Sequence, residues 1–181
     1  MMTDATTPPS LSIALLGEAV LRQPVRQLTL PSDEARILSE QMLQLMQARS
    51  GVGIAAPQVH HSLALMIIAS RPNARYPHAP VMAPLVMVNP SLLNQAQASN
   101  QDWEGCLSVP GIRGLVSRPE WVEVSYQDLD GRLHQRRLEG FVARIFCHEY
   151  DHLQGLTFLD RVDNNRNLMA SEVLARQMEQ P

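Results

Sequence analysis

Two histidines four residues apart, with a glutamate directly after the first, constrain this chain more than any other feature of its sequence. They are His148, Glu149 and His152, and they stand in a segment, 141–154, whose apolar spacing predicts a helix. Side chains at i and i+4 of a helix share one face, so both imidazoles can reach one metal ion. Glu149 lies beside them, where it can exchange a proton with a water on that ion. The segment is therefore predicted to be a helix that carries two metal ligands and a general base.

A third ligand is needed, because a catalytic site of this kind typically combines three protein ligands with one open position. In metallopeptidases with the same helix, that ligand comes from further along the chain. Beyond His152 the sequence offers Glu172 and Glu179 and no further histidine. Glu172 stands in a segment whose spacing is typical of an amphipathic packing helix. A zinc peptidase is therefore one alternative, with Glu172 as its candidate ligand.

A cysteine upstream is the other candidate for the third ligand. Cys106 stands in Glu104-Gly105-Cys106-Leu107-Ser108. A thiolate binds divalent metals strongly, and the neighbouring glycine lets the backbone approach a bound group. A small buried residue is the alternative role for Cys106. Cys147 precedes His148 and projects about a quarter turn away from the histidine face, which favours a core position for it.

A glycine-rich segment, Gly51-Val52-Gly53-Ile54-Ala55-Ala56-Pro57-Gln58, is the third motif. It lacks the Lys-Ser/Thr pair of a phosphate-binding loop, and no predicted strand leads into it. It does offer backbone free of side chains, followed by the amide of Gln58, which can donate a hydrogen bond into a cleft. By itself the motif is compatible with a helix stop followed by a turn.

Composition limits the function classes. The chain has 181 residues, 45% of them apolar and 18% charged, with a net charge of −3. These values favour one globular domain, at 11–181, behind a flexible tail at 1–10, and they argue against a broad nucleic-acid surface. No apolar run is long enough to span a bilayer, and two cysteines cannot build a disulfide framework. We therefore expect a cytoplasmic protein with no membrane and no sequence-specific nucleic-acid partner.

The periodicity of the chain predicts an α+β fold. Its mostly antiparallel short strands pack around the central helix at 141–154, with one helix N-terminal to them and one C-terminal. The expected flanking helices lie near 33–49 and 166–178. Strands are expected at 63–69 and 85–89, separated by a proline-rich loop at 71–84. A hairpin is expected to join 121–126 to 133–138.

Taken together and in this order, the three motifs resemble peptide deformylase. The resemblance runs from about residue 13 to about residue 170. It extends to Val88-Asn89-Pro90, Val109-Pro110, the turn at 128–131 and Asp151-His152-Leu153-x-Gly155. One such motif can arise by chance, but three in the order and rough spacing of one family hardly can.

The resemblance implies an enzyme that removes the formyl group from the N-terminal methionine of new polypeptides and releases formate. It implies one divalent metal ion per chain, natively Fe²⁺, with Zn²⁺, Ni²⁺ or Co²⁺ as substitutes. By match, the ligands are Cys106, His148 and His152. Glu104 is expected to pair with Arg118 and so to steady the segment that carries Cys106.

The resemblance also assigns roles around the metal. Glu149 would act as general base and then general acid. Gln58 and the backbone N–H of Leu107 would stabilise the oxyanion. Gly53 would offer its backbone to a substrate that lies as an added strand. The remaining peptide-binding candidates are Gly51, Gly105 and Arg113, although a solvated arginine is an equal alternative for Arg113.

The implied partners are N-formylmethionyl nascent peptides, with transient contact to the ribosome. Trp103, Arg144 and Cys147 depart from the pattern common among bacterial members, which concerns substrate preference and rate rather than the type of reaction. Two further alternatives remain open. One is a related metal-binding protein that binds nascent N-termini or the ribosome without turnover, and the other is an α+β binding domain with no metal.

Overall fold

A computed structural model describes residues 11–178, which form two sheets and three α-helices. The expected tail at 1–10 lies outside the described residues. The helices are α1 (Asp33–Ala48), α2 (Gly140–Leu153) and α3 (Ser171–Met178). The strands are β1 (Gly53–Ala55), β2 (Leu65–Ser70), β3 (Met82–Gln95), β4 (Ser99–Cys106), β5 (Val109–Pro119), β6 (Trp121–Gln127), β7 (Leu133–Glu139) and β8 (Leu168–Ala170). The predicted α+β class is confirmed.

Neighbouring strands run antiparallel in both sheets. One sheet has the order β1-β2-β3-β6-β7, and the other has the order β4-β5-β8. β1 and β4 are therefore edge strands, with backbone groups that an extended peptide can pair with. The predicted hairpin is the β6–β7 pair, and its register runs from Trp121 opposite Glu139 to Gln127 opposite Leu133.

The larger sheet is covered by helices on both faces at β2. Leu65 and Ile67 pack in one core cluster with the apolar side of α1, whereas Met66 and Ile68 pack in a second cluster with α2. This alternation follows from the two-residue period of a strand. This packing places α2 directly against β2 and β1. The side of α2 that faces away from the sheet therefore has a fixed direction as well.

α1 begins at the predicted position. The hydroxyl of Ser32 accepts a hydrogen bond from the backbone N–H of Ala35 at 3.2 Å, and Asp33 and Glu34 occupy the first turn. Both features stabilise a helix N-terminus, the first by satisfying a free N–H and the second through the helix dipole.

The proline-rich loop is shorter than predicted, because β3 begins at Met82 and includes Pro84 and Pro90. Between β2 and β3 the register shifts, so that Ile68 faces Leu85 while Ser70 faces Met82. Pro84 falls in this irregular stretch, where it need not donate to the ladder. A second shift, toward β6, accommodates Pro90.

The C-terminal helix begins later than predicted, at Ser171 rather than near 166. Residues 168–170 form β8 instead, with Leu168 opposite Gly114 and Ala170 opposite Ile112 of β5. Tertiary pairing has overridden the helical spacing of these residues. Over the described residues, no helix is both long enough and apolar enough to cross a membrane.

Candidate metal centre and its pocket

Three potential metal ligands converge where α2 meets the end of β4. His148 and His152 lie on one side of α2, with ring centroids 5.3 Å apart, and Cys106 is the last residue of β4. The Cys106 Sγ lies 3.3 Å from the Nε2 of His152. One donor atom from each of the three residues lies within 4.8 Å of the others.

The donor set suits a divalent transition metal. Ligands about 2.0–2.3 Å from one tetrahedral ion are separated by roughly 3.5 Å, close to the Cys106–His152 distance. Burial alone would raise the pKa of the Cys106 thiol. The charges and hydrogen bonds of His152 and His148 outweigh that effect and hold this pKa well below its usual value, which favours the thiolate. A thiolate with two imidazoles is a common environment for Zn²⁺ and related ions.

The orientation of His148 is set by Glu104. The Nδ1 of His148 lies 2.9 Å from the Oε2 of Glu104, which leaves Nε2 as the nitrogen free for ligation. Burial alone raises the pKa of Glu104, but hydrogen bonds from Arg118 and His148 lower it well below the usual range. The carboxylate is therefore ionised, and both of its oxygens can accept hydrogen bonds from Arg118 and His148.

The predicted pairing of Glu104 with Arg118 is confirmed. Arg118 donates from Nε to Oε1 at 2.9 Å and from Nη2 to Oε2 at 3.0 Å, and its Nη1 donates to Asp151 on α2 at 2.7 Å. All three residues are at most 4% exposed. Arg161, at the surface, also donates to Asp151. This buried network joins β4, β5 and α2 directly behind the metal ligands.

Glu149 stands on α2 beside the ligands and is buried. Its Oε2 has no hydrogen-bond partner among the described residues, so this oxygen is available to a water or a substrate. Burial raises the pKa of Glu149 to about 7, against the opposing effect of His148 and His152. A carboxyl group with a pKa near neutrality is well matched to both accept and release a proton.

Gly53 of β1 lies against the Glu149 side chain. A Cβ added to Gly53 would come within 2.7 Å of the Cγ and 2.8 Å of the Cδ of Glu149. Side-chain carbons do not approach this closely, so the absence of a side chain at Gly53 is what allows Glu149 to occupy its position.

Replacing Gly53 by alanine is therefore expected to displace the Glu149 carboxylate, and a reaction that uses this carboxylate should slow about 100-fold, a typical cost of moving a reacting group by about 1 Å. Metal content should not change, because the three ligands are untouched. Kinetics and elemental analysis of Gly53→Ala check both expectations. Parental turnover in this variant would show that the position of Glu149 is not critical.

Gln58 reaches the same centre from the short helical turn after β1. Its Oε1 accepts a hydrogen bond from the backbone N–H of Ala55 at 2.9 Å, which orients the amide. Its Nε2 therefore points toward the centre, 3.3 Å from both the Cys106 Sγ and the Ser108 Oγ. The amide is therefore held with its N–H donors toward the donor cluster.

A small pocket and a larger groove meet at Cys106. The pocket is lined by the predicted residues Gly51, Gly53, Gln58, Gly105, Leu107 and Glu149. The groove, about 760 Å³ in volume, continues outward between the 74–79 loop, the β4–β5 hairpin and α3. Arg113 belongs to the groove and not to the pocket, and it packs on Gly105 with its Nη1 donating to the Tyr76 hydroxyl.

The competing ligand candidates lie outside the donor cluster. Cys147 is half-buried against the α2 core cluster, and burial raises the pKa of its thiol to about 11. Glu172 is exposed on α3 and lines the outer groove. Neither belongs to the donor group found among the described residues, so a peptidase site that uses Glu172 has no support here.

Sequence reasoning missed two aromatic residues of the pocket wall. Tyr76 and Phe141 line both the pocket and the groove, and their ring centroids are 4.9 Å apart. Tyr76 stands in the proline-rich loop, where no periodic pattern indicates its direction. Phe141 is visible in the sequence as the first residue of the predicted helix, but nothing there distinguishes a pocket position from a core position.

Comparisons with known proteins agree with this geometry. A family profile described as Polypeptide deformylase matches residues 10–168. Peptide deformylase 2 of Nostoc sp. is 47% identical over 166 residues, covering 91% of this chain and 93% of that protein. Peptide deformylase 2 of Shewanella oneidensis is 50% identical over 163 residues, covering 90% of each.

A solved structure is similar in fold as well as in sequence. It is the Met-Ala-Ser-bound class I type b peptide deformylase of Acinetobacter baumannii, with a TM-score of 0.83 and 43% identity. The match covers 86% of this chain and all of that one, at 100%. From the profile match and the two relatives, this chain belongs to the polypeptide deformylase family.

Proposed function

We propose that this protein is a metal-dependent hydrolase that removes the formyl group from N-formylmethionine at the start of newly made polypeptides. The observation that carries the proposal is that a Cys/His/His donor cluster, a buried carboxyl group and an oriented amide meet at one pocket, which Cys106, His148, Glu149 and Gln58 line. Family membership supports the same reaction. The domain responsible is taken as a single unit at 11–181, with the helix that carries His148 and His152 at its centre.

The proposed ligands are Cys106, His148 and His152, which would hold one divalent ion. Fe²⁺ is the proposed native ion, with Zn²⁺, Ni²⁺ or Co²⁺ able to replace it, since all four suit thiolate and imidazole ligands. When bound, the ion supplies a water of lowered pKa and polarises the formyl carbonyl.

Glu149 is proposed to transfer the proton during the reaction, first as general base and then as general acid. Its unpartnered Oε2 takes a proton from the attacking water, and the same group then gives that proton to the amine that leaves. A buried site favours this exchange, because a carboxyl with a raised pKa holds the proton between the two steps. Formate and a free N-terminus are the products.

Two donors are proposed to stabilise the negative charge that develops on the formyl oxygen. They are the Nε2 of Gln58 and the backbone N–H of Leu107. Gln58 is supported by its orientation through Ala55, and Leu107 by its place in the pocket wall beside Cys106. Preorganised donors of this kind contribute about 10²–10³-fold each to turnover.

The peptide is proposed to lie extended between the two sheet edges. β1 offers the backbone at Gly53, and Gly51 and Gly105 are proposed to contact the peptide because they line the same pocket. Arg113, in the outer groove, would meet the peptide backbone or its carboxylate end. The similar structure from Acinetobacter baumannii has Met-Ala-Ser bound.

The proposed partners are therefore nascent N-formylmethionyl peptides, in the cytoplasm, with transient contact to the ribosome that carries them. Neither a membrane nor a sequence-specific nucleic acid has a role in this reaction.

The test is formate release. Full-length protein loaded anaerobically with Fe²⁺ is assayed with formyl-Met-Ala-Ser and, as a control, with acetyl-Met-Ala-Ser, and the metal content is measured in parallel. Rapid formate release supports the proposal. Protein that holds about one ion per chain but releases no formate would instead indicate a protein that binds nascent N-termini without turnover.

The thiolate ligand has a role that a carboxylate should not fill. A thiolate at position 106 would donate more charge to a bound ion than an oxygen ligand would, and so would tune the reactivity that the ion supplies. Cys106→Asp is therefore expected to retain a metal ion but to lower turnover by at least about tenfold. Metal analysis and formate release check this together, and unchanged turnover would contradict it.

A further inference from the structure

A second buried arginine, Arg144, donates a hydrogen bond to the Glu104 carboxylate, which orients His148. Arg144, on α2, is 4% exposed. Its Nη1 donates to the Oε1 of Glu104 and to the backbone oxygen of Val116, both at 2.9 Å. Its Nη2 donates to the backbone oxygen of Asn100 at 2.9 Å and to the side-chain Oδ1 of Asn100 at 2.6 Å. Four of the five N–H donors of this guanidinium are therefore used, and all four go to the smaller sheet.

The placement of these contacts matters because the donor cluster is assembled from two parts of the fold. His148 and His152 belong to α2, which packs on the five-stranded sheet, whereas Cys106 ends β4 in the three-stranded sheet. Arg144 spans this junction: it starts on α2 and is bonded to β4 at two positions and to β5 at one. The distance between the histidine pair and the thiolate depends on such links.

Arg144 also completes the hydrogen bonding of Glu104. The Oε1 of that carboxylate accepts from Arg118 and Arg144, and the Oε2 accepts from Arg118 and His148. Without Arg144, Oε1 keeps one donor, and the carboxylate is held only by the Arg118 fork and by His148, with no contact left to α2 on its Oε1 side. The acceptor of the His148 Nδ1 would then be held less firmly, with one donor fewer on its carboxylate.

We propose that Arg144 is a positioning residue of the metal centre, which acts through Glu104 and through the α2–β4 junction to set the affinity for the ion. The inference rests on the proposed function, since it takes Cys106, His148 and His152 as ligands. An apolar side chain at 144 can fill the same volume of the pocket wall, but it cannot make these bonds. The guanidinium is not itself a ligand or a catalytic group, because it is a cation whose donors face protein acceptors.

The experiment compares metal affinity in full-length variants without any peptide. Arg144→Met removes the contacts, Arg144→Lys keeps the charge but loses the fork, and Asn100→Ala removes one acceptor at the exposed end of the link. Arg161→Met is the matched control, because it also removes an arginine from the network but touches Asp151 and not Glu104. Co²⁺ dissociation constants come from competition with a chromophoric chelator. The thiolate–Co²⁺ absorption band reports on Cys106.

We expect Arg144→Met to bind Co²⁺ about 10–100-fold more weakly, the usual cost of losing a group that orients a ligand, and to change the absorption band. Arg144→Lys should recover part of this loss, and Arg161→Met should stay within about twofold of the parent. Parental affinity in Arg144→Met, or an equal loss in Arg161→Met, would overturn the proposal.

If Arg144→Met does not fold, Arg144→Lys and Asn100→Ala decide the question, and parental affinity in both would overturn it. The proposed function is tested separately, because affinity is measured without substrate. A parent protein that binds Co²⁺ in an Arg144-dependent way but releases no formate would refute the deformylase activity and leave the role of Arg144 intact.

Discussion

Glu149→Gln is expected to lose formate release by about 10²–10⁴-fold while it retains its metal ion. The magnitude is that of a general acid–base group removed from a buried site. Glutamine keeps the volume of the side chain, so the neighbouring backbone at Gly53 is not disturbed. It cannot take a proton from the attacking water or pass one to the leaving amine. The measurement is kcat with formyl-Met-Ala-Ser, made on protein of known metal content.

The metal content separates this prediction from a loss of the site. Glu149 is not one of the donors in the cluster of Cys106, His148 and His152, so the ion should remain at the parental ratio. Turnover within a few-fold of the parent, at equal metal content, would remove Glu149 from the proton transfer. A joint loss of metal and activity would instead show that Glu149 supports the ligands.

The local half of the site could be predicted from the sequence. His148, Glu149 and His152 lie within one helical segment, and a helix places them on one side whatever the rest of the chain does. Cys106 is different, because nothing in its own segment indicates that it faces His152. Residues 99–104 are mostly polar, and without alternating apolar positions they were not predicted as a strand. Residue chemistry made Cys106 one candidate ligand and Gln58 a possible donor, but the resemblance to a family, rather than periodicity, assigned both to one site.

Long-range pairing explains what sequence reasoning missed in the fold. β8 forms because residues 168–170 find an open edge at β5, and β3 passes through Pro84 because the register shifts there. Neither condition is visible in a window of neighbouring residues. The same holds for Arg144, since its acceptors at Asn100, Glu104 and Val116 lie 44, 40 and 28 residues away along the chain. The position of Arg144 in a predicted helix does not by itself show that its guanidinium has hydrogen-bond acceptors inside the protein.

The buried ionic network also makes a large prediction for stability. Arg118 is 4% exposed and neutralises two buried carboxylates, Glu104 and Asp151, at distances of 2.7–3.0 Å. Its loss leaves those carboxylates with fewer donors in a region that water does not reach. Removing one partner from a buried ion pair typically costs about 3–5 kcal/mol, most of it the penalty of the charge left behind. Arg118→Met is expected to lose about that much free energy of unfolding.

The matched control is Arg26→Met, the same chemical change in an exposed pair. Arg26 bonds both oxygens of Glu34 at 3.0–3.1 Å, yet the two side chains are 62% and 48% exposed. Water replaces such a contact readily, so this variant should lose at most about 1 kcal/mol. Both values come from urea unfolding of metal-free protein, which keeps differences in metal affinity out of the comparison. Equal losses in the two variants would mean that the network behind the ligands contributes no more than a surface ion pair. A loss confined to Arg118→Met would show that the support for His148 is also a principal support of the fold, because one arginine joins β5 to both β4 and α2.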